Sequence, residues 1–234
     1  MQTPNLATGL LWYFAFIFSV VTHEAAHALA AFKLGNRTAY DGGQVSLDPT
    51  PHIKREPLGT VVVPLLSYIA GGWMFGWASA PYNREWARTY PDRSALMSLA
   101  GPAANLLLVL LCVLAIRLGI ALDLFHAPQS VNFSHLTAAN HEGLWVGVAK
   151  LLSILCSLNL ILCCFNLLPL PPLDGSGIVP LFLSRDKAIG YMDFIESAPF
   201  MFLGLLLAWK VFDFVFDPIH LAFLNLLYPG AGYH

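Results

Sequence analysis

Charged side chains are scarce in this sequence. Asp, Glu, Lys and Arg make up 11% of the 234 residues, whereas soluble domains carry roughly a quarter. The formal net charge is −2, and because there is no basic surplus, we expect no nucleic-acid partner. Hydrophobic residues reach 57%, in stretches long enough to cross a hydrocarbon layer of ~30 Å, which takes about 20 helical residues. The composition therefore predicts an all-α polytopic membrane protein, with the lipid bilayer as its surroundings.

Cysteine is also rare. The four cysteines all fall in apolar segments: Cys112, Cys156, Cys163 and Cys164. Their spacing matches neither a zinc ribbon nor the disulfide framework of a secreted protein. We expect them to be small buried hydrophobic side chains.

Long apolar segments divide the chain. Membrane helices are predicted at 7–34, 58–79, 95–121, 145–168 and 199–216, and the tail at 219–228 would add a sixth. No Lys or Arg precedes the first segment, which is too long for the apolar part of a signal peptide, so we expect it to be retained. No connection is long enough for a separate folded domain, and residues 1–234 are expected to form one domain.

The polar loop after the first segment has the pattern of a β-hairpin. Asp41-Gly42 stands among alternating polar and apolar residues between 37 and 47, and this dipeptide favours tight hairpin turns. We predict a small β-hairpin after the first helix, with an ordinary surface loop as the alternative.

Basic residues flank the second segment on both sides. They are Lys33, Arg37, Lys54 and Arg55 before it, and Arg84, Arg88 and Arg93 after it. The loop at 121–144 has no Lys or Arg. Since basic loops stay in the cytoplasm, the pattern fits an outside N-terminus and a second segment that enters and leaves on one side. We predict a re-entrant hairpin at 58–79, bent at Pro64 or Gly71-Gly72. A plain spanning helix with one misplaced basic loop is the alternative.

The first apolar segment contains His23-Glu24-Ala25-Ala26-His27. Residues four apart share a helix face, so both imidazoles can reach one metal ion with Glu24 beside them. Ionisable residues at the bilayer centre cost about 2.5–3.5 kcal/mol each, and a metal would compensate because it takes the lone pairs of neutral histidines. The motif indicates a metal-dependent hydrolase acting within the membrane. A hydrogen-bonded polar cluster between helices is the alternative.

A catalytic zinc site usually has three protein ligands and one open position. His23 should lie ~8–10 Å above the cytoplasmic boundary. That depth excludes the histidines of the outer loop: His126, His135 and His141. Asp174 follows the fourth segment where it reaches the inner side, after prolines that end the helix. It is the preferred third ligand, and Glu196 and His52 are the alternatives.

Three motifs together resemble one family. They are His23 to His27, then Gly101-Pro102-Ala103-Ala104-Asn105, then the stretch from Asn166 to Gly175. Their order and spacing resemble the site-2 protease family of intramembrane zinc metalloproteases. Residues 49–60 are similar to a compact prokaryotic branch of it without a PDZ or CBS domain.

The resemblance implies site residues. One Zn²⁺ per chain would be bound by His23, His27 and Asp174, with Glu24 as general base. Asn166 would lie close to the catalytic centre, where it could donate a hydrogen bond to the developing oxyanion; a capping or packing amide is its alternative role. The element that ends in Asn105 is interpreted as structural, because small residues let helices approach closely.

The implied activity is hydrolysis of peptide bonds within or near transmembrane segments of single-span membrane proteins, either anchored regulators or leftover signal peptides. The expected location is a prokaryotic inner membrane, with the N-terminus outside and the site near the cytoplasmic side. We expect residues 37–47 or 58–79 to pair with an extended substrate as an added strand. The alternatives are a metal transporter and an inactive protease homologue. The sequence does not indicate an oligomeric state.

Overall fold

The computed structural model describes residues 5–196 and 198–233, and these residues are largely helical. Their helices, in chain order, are α1 (Leu6–Lys33), α2 (Thr38–Asp41), α3 (Pro49–Arg55), α4 (Val63–Gly71), α5 (Arg84–Thr89), α6 (Pro91–Ala121), α7 (Leu144–Asn166), α8 (Asp174–Ile178), α9 (Arg185–Ile195) and α10 (Ala198–Leu227). A π-helical turn at Leu58–Val62 leads into α4, and a 3-10 turn at Val179–Phe182 follows α8.

Four of the described helices are long and apolar enough to cross a membrane: α1, α6, α7 and α10. The protein is therefore a helical integral membrane protein. The predicted five to six spans are not found in the described chain, for two reasons. The helix at Leu58–Gly71 is too short. The segments predicted at 199–216 and 219–228 form one helix that continues through Pro218, where proline removes only one backbone donor.

Helices α1, α6 and α7 pack against one another and form the core. Trp12 and Phe16 of α1 meet Ile154 of α7 in one buried cluster. A second cluster joins Val109 of α6 to Leu160 of α7 and also includes Phe216 of α10. The cysteines are free thiols, three of them buried and Cys164 partly buried, which agrees with the expected packing role.

The segment at 58–79 doubles back on itself. After α4 the chain turns at Gly72, whose φ of 76° is left-handed, and then runs back without helical structure. The backbone N–H of Trp77 donates to the carbonyl of Gly59 over 3.1 Å. A Cβ atom on Gly59 would overlap the carbonyl of Trp77. A Cβ atom on Gly76 would overlap the carbonyl of Gly59. The two glycines therefore permit close contact between the helical arm (residues 58–71) and the arm that returns after α4 (residues 73–83, the returning arm).

The β-hairpin predicted at 37–47 is wrong. Residues Thr38–Asp41 form helix α2 instead, because the side-chain oxygen of Asn36 accepts the N–H of Thr38 over 3.0 Å and initiates a helical turn. The Asp-Gly pair then ends that helix. The described two-stranded sheet lies in the loop between α6 and α7, where β1 (Phe125–His126) pairs antiparallel with β2 (Ala138–Ala139).

Candidate metal centre

Two histidines and one carboxylate converge where α1 faces α8. His23 and His27 are buried one turn apart on α1, and their Nε2 atoms are 3.0 Å apart. Oδ2 of Asp174 lies 3.0 Å from Nε2 of His23, and Oδ1 lies 3.3 Å from Nε2 of His27. The three residues can place ligand atoms within 4.8 Å of one another.

The chain after α7 brings Asp174 to this position. Prolines 169, 171 and 172 prevent a continuous helix, and α8 begins at Asp174 itself. Gly175 lies against the carbonyls of Leu167 and Leu168, where a Cβ would overlap both. The glycine thus allows the loop to fold closely enough onto the end of α7 for the carboxylate to face α1.

Hydrogen bonds determine which ring nitrogen carries the proton in His23 and in His27. Nδ1 of His27 lies 2.7 Å from the backbone carbonyl of Met97, which can only accept, so this nitrogen carries the proton. Nδ1 of His23 lies 2.5 Å from Oδ1 of Asn105 and donates to it in the same way. In the neutral rings the Nε2 atoms then present their lone pairs to each other and to Asp174, which is the tautomer that binds a metal.

This donor set fits a cation. Lone pairs and a carboxylate at such distances repel one another unless a positive charge lies between them. Oδ2 of Asp174 is buried and has no hydrogen-bond donor. Gly101 of α6 faces the imidazoles, and a Cβ there would overlap both Nε2 atoms. Because glycine has no side chain, the space that an ion with three protein ligands requires stays open at this position.

Glu24 lies beside the metal ligands on the wall of a cavity of about 300 Å³, which His27 and Asp174 also line. The lining also includes Ala78, Ser79, Ala80 and Tyr82 from the returning arm after α4, together with Glu196 and Met201. Burial raises the pKa of Tyr82 and Glu196 raises it further, so the phenol stays protonated at neutral pH. A cavity of this volume has room for water next to Glu24.

A buried amide chain supports His23 from behind. Nδ2 of Asn105 donates to Oδ1 of Asn159 over 2.7 Å, and Nδ2 of Asn159 donates to Oγ of Ser19 over 2.8 Å. All three side chains are fully buried between α1, α6 and α7. The sequence interpretation assigned Asn105 to helix packing and missed Asn159. The sequence signal that could have identified these residues is a single amide side chain within an otherwise apolar segment.

The other candidate residues lie apart from the cluster. Asn166 ends α7, its amide donates to the carbonyl of Leu162 over 3.0 Å, and it is not among the cavity-lining residues. His52 is buried on α3, with Nε2 3.2 Å from the carbonyl of Ser46. Glu196 reaches the cavity, but its carboxylate lies 3.5 Å from the guanidinium of Arg88. The geometry therefore favours Asp174 as third ligand, and the oxyanion role of Asn166 stays a prediction.

Comparison with known proteins gives consistent matches. Residues 12–208 match the model of Peptidase family M50. YwhC of Bacillus subtilis (strain 168), named as a zinc metalloprotease, is 37% identical over 164 residues, covering 70% of this chain and 64% of the relative. Rip2 of Mycobacterium tuberculosis (strain ATCC 25618 / H37Rv), named likewise, is 34% identical over 159 residues, covering 68% of this chain and 52% of the relative. The chain thus spans between half and two thirds of these relatives. No solved structure shows a significant match.

Proposed function

The chain belongs to Peptidase family M50, the site-2 protease family, and on that basis we propose that it is an intramembrane zinc metalloprotease. The observation that carries this proposal is the convergence of His23, His27 and Asp174 beside a cavity that Glu24, His27 and Asp174 line. Its substrates are single-span membrane proteins, cut within or near their transmembrane segments. Anchored regulators and leftover signal peptides are both such substrates.

His23, His27 and Asp174 would hold the ion, and Asn105 and the carbonyl of Met97 keep the two rings oriented. When bound, zinc supplies Lewis-acid activation of water and of the scissile carbonyl. Glu24 accepts the proton of the attacking water and delivers it to the leaving amine. Asn166 would be the oxyanion donor, after a change of rotamer that releases its amide from the carbonyl of Leu162.

The returning arm after α4 is suited to bind an extended substrate. Successive residues of an extended strand point their backbone groups to opposite sides. Trp77 donates its N–H to Gly59, and the carbonyl of Ser79 accepts from Nε2 of Gln44 over 2.9 Å. Neither Ala78 nor Ala80 forms a backbone hydrogen bond within the described chain, and both line the cavity. Their free edge would pair with a substrate strand.

Residues 37–47 form helix α2 followed by turns and bends, with no strand among them, so we favour the segment at 58–79 as the pairing element. Photo-cross-linking from position 80 to a bound substrate, with Glu24→Gln preventing turnover, tests the pairing. Position 129 in the loop between α6 and α7 is the control. Cross-links only from position 129 would contradict the proposed binding edge.

The orientation that we propose is based on charge and depth. Nζ of Lys150 on α7 lies 3.3 Å from Oγ1 of Thr8 on α1, as expected of a lysine that reaches an interface. His23 lies about 22 Å further along α1, which leaves ~8 Å of a 30 Å layer beneath it. An outside N-terminus then puts the active site near the cytoplasmic side of a prokaryotic inner membrane. Basic residues at both ends of 58–79 support a re-entrant rather than a spanning segment.

A cleavage assay with the purified protein in liposomes tests the proposed activity. We expect zinc-dependent cutting of a co-reconstituted single-span protein. Glu24→Gln should retain zinc and lose cleavage, whereas His23→Ala should lose both. Cleavage at the normal rate by Glu24→Gln would show that the general base is misassigned. Zinc binding without cleavage of any tested substrate would favour a transporter or an inactive homologue.

A further inference from the structure

Glu196 is the acidic side chain of the cavity that the proposed chemistry does not use. It follows the last residue of helix α9 and lines the same cavity as Glu24 and Asp174. The proposed mechanism assigns Asp174 to the ion and Glu24 to the attacking water, which leaves Glu196 without a role. None of the described residues that line this cavity is Lys or Arg. The cavity therefore presents a third carboxylate to a peptide that enters it.

Arg88 of α5 neutralises this carboxylate only in part. Nε and Nη2 of Arg88 donate to Oδ1 of Asp193 over 3.0 Å and 2.7 Å, whereas Oε2 of Glu196 lies 3.5 Å from the same Nη2. A single guanidinium thus faces two carboxylates, and the nearer one is Asp193. The side chain of Asp193 is 53% exposed and that of Glu196 is 22% exposed. Because solvent screens the less exposed group less, the negative charge that remains acts on the cavity through Glu196.

Helix stability does not explain an acidic residue at this position. Glu196 is the C-cap of α9, where the helix dipole favours cations and disfavours anions. Its charge does act inside the cavity. Burial raises the pKa of Tyr82, another lining residue, and Glu196 raises it further. The carboxylate is therefore placed to interact with whatever occupies the cavity.

The size of the cavity limits how far Glu196 lies from the reacting bond. A rounded cavity of about 300 Å³ is about 8 Å across, a distance that two to three residues of extended chain span. Glu24 would act at the cleaved bond, so Glu196 would lie beside a substrate residue within about three positions of that bond. A Lys or Arg side chain there can pair with Glu196, whereas an Asp or Glu side chain is repelled.

We propose that Glu196 makes the protein specific for substrates that carry a lysine or arginine within about three residues of the cleaved bond. This inference rests on the proposed proteolysis and names the substrate class of that same site. Lys and Arg are concentrated at the cytoplasmic ends of transmembrane segments, which is the side on which the proposed orientation places the site. Glu196 is thus a specificity-determining residue and takes no part in the hydrolysis itself.

The test measures cleavage of a co-reconstituted single-span protein in liposomes. Mass spectrometry locates the cut, and the residues on either side of it are replaced one at a time by Lys, Gln or Glu. With the wild-type protein, Lys at one or more of these positions should raise kcat/KM about tenfold above Glu at the same position. Glu196→Gln should cut the three variants at similar rates, and Glu196→Lys should prefer Glu. Asp186→Lys, which replaces an exposed acid of α9 outside the cavity, is the matched control and should keep the wild-type preference.

Equal cleavage of the Lys and Glu substrates by the wild type would overturn the proposal and leave the proteolytic function intact. A preference for Lys that Glu196→Lys retains would do the same. Substrate binding gives a second measurement that needs no turnover. In the Glu24→Gln background, energy transfer between labelled protein and labelled substrate should show the same order of affinities, and Glu196→Lys should reverse it. This order of affinities without cleavage by the wild type would contradict the proteolytic function and support recognition by Glu196.

Discussion

The side-chain oxygen of Asn105 lies 2.5 Å from Nδ1 of His23, across the contact between α6 and α1. Because the amide nitrogen of Asn105 donates to Asn159, its oxygen is the atom that faces the imidazole. The pair therefore fixes both the ring orientation and the nitrogen that is free for a metal.

Replacing Asn105 by Leu should lower zinc affinity about 10- to 100-fold, the usual effect of losing such a supporting partner. The measurement is zinc content across a series of buffered free-zinc concentrations. Asn225→Leu, which removes an exposed amide that donates to the carbonyl of Leu221, is the control. Unchanged zinc affinity in Asn105→Leu would contradict the supporting role.

Gly101→Ala should abolish the metal site with little effect on the rest of the bundle. The added Cβ would overlap both Nε2 atoms, and the required shift costs about 1–3 kcal/mol. Zinc content and thermal unfolding in lipid or detergent measure the two effects. Gly147→Ala on α7 meets no neighbour within 4 Å and should retain zinc. Full zinc occupancy of Gly101→Ala would show that α6 lies further from the histidines.

Asn166→Ala tests the predicted oxyanion donor. If the amide acts only in the transition state, kcat should fall about 10²–10³-fold while zinc content and KM stay near the wild-type values. The measurement is steady-state cleavage of a reconstituted substrate. A stability loss with normal kcat would instead assign Asn166 to the end of α7, where it bonds to Leu162.

Gln44→Leu should impair substrate binding. The buried Gln44 side chain holds the carbonyl of Ser79, and its loss would free the arm whose Ala78 and Ala80 line the cavity. We expect KM to rise about 5- to 10-fold, equivalent to roughly one hydrogen bond, with zinc content unchanged. Gln129→Leu in an exposed loop is the control. Unchanged KM in Gln44→Leu would argue against an ordered binding edge.

The sequence predicted that His23, His27 and Asp174 lie together because helical periodicity is local information. Four-residue spacing places His23 and His27 on one face, and the helix-ending prolines place Asp174 shortly after the end of α7. The support of His23 by Asn105 and Asn159 depends on how three helices rotate against one another, and no local pattern specifies that rotation.

The errors in the fold have the same origin. Asp41-Gly42 favours a hairpin turn, but a hairpin also needs flanking strands that pair. Here the side-chain oxygen of Asn36 accepts the N–H of Thr38 at the start of helix α2 instead. The segments predicted at 199–216 and 219–228 form one helix that contains Pro218. The helix continues because Phe216 and Leu224, on either side of it, are buried in the same cluster.

The helix at Leu58–Gly71, about 21 Å long, is shorter than the ~30 Å hydrocarbon layer. If it re-enters as proposed, lipids beside it must shorten or tilt to meet it, and their headgroups sink locally toward the level of Glu24. Such a dent would let water reach the cavity beside Glu24 without a dedicated channel. It would also weaken the bilayer at the place where the proposed activity requires a substrate helix to unwind.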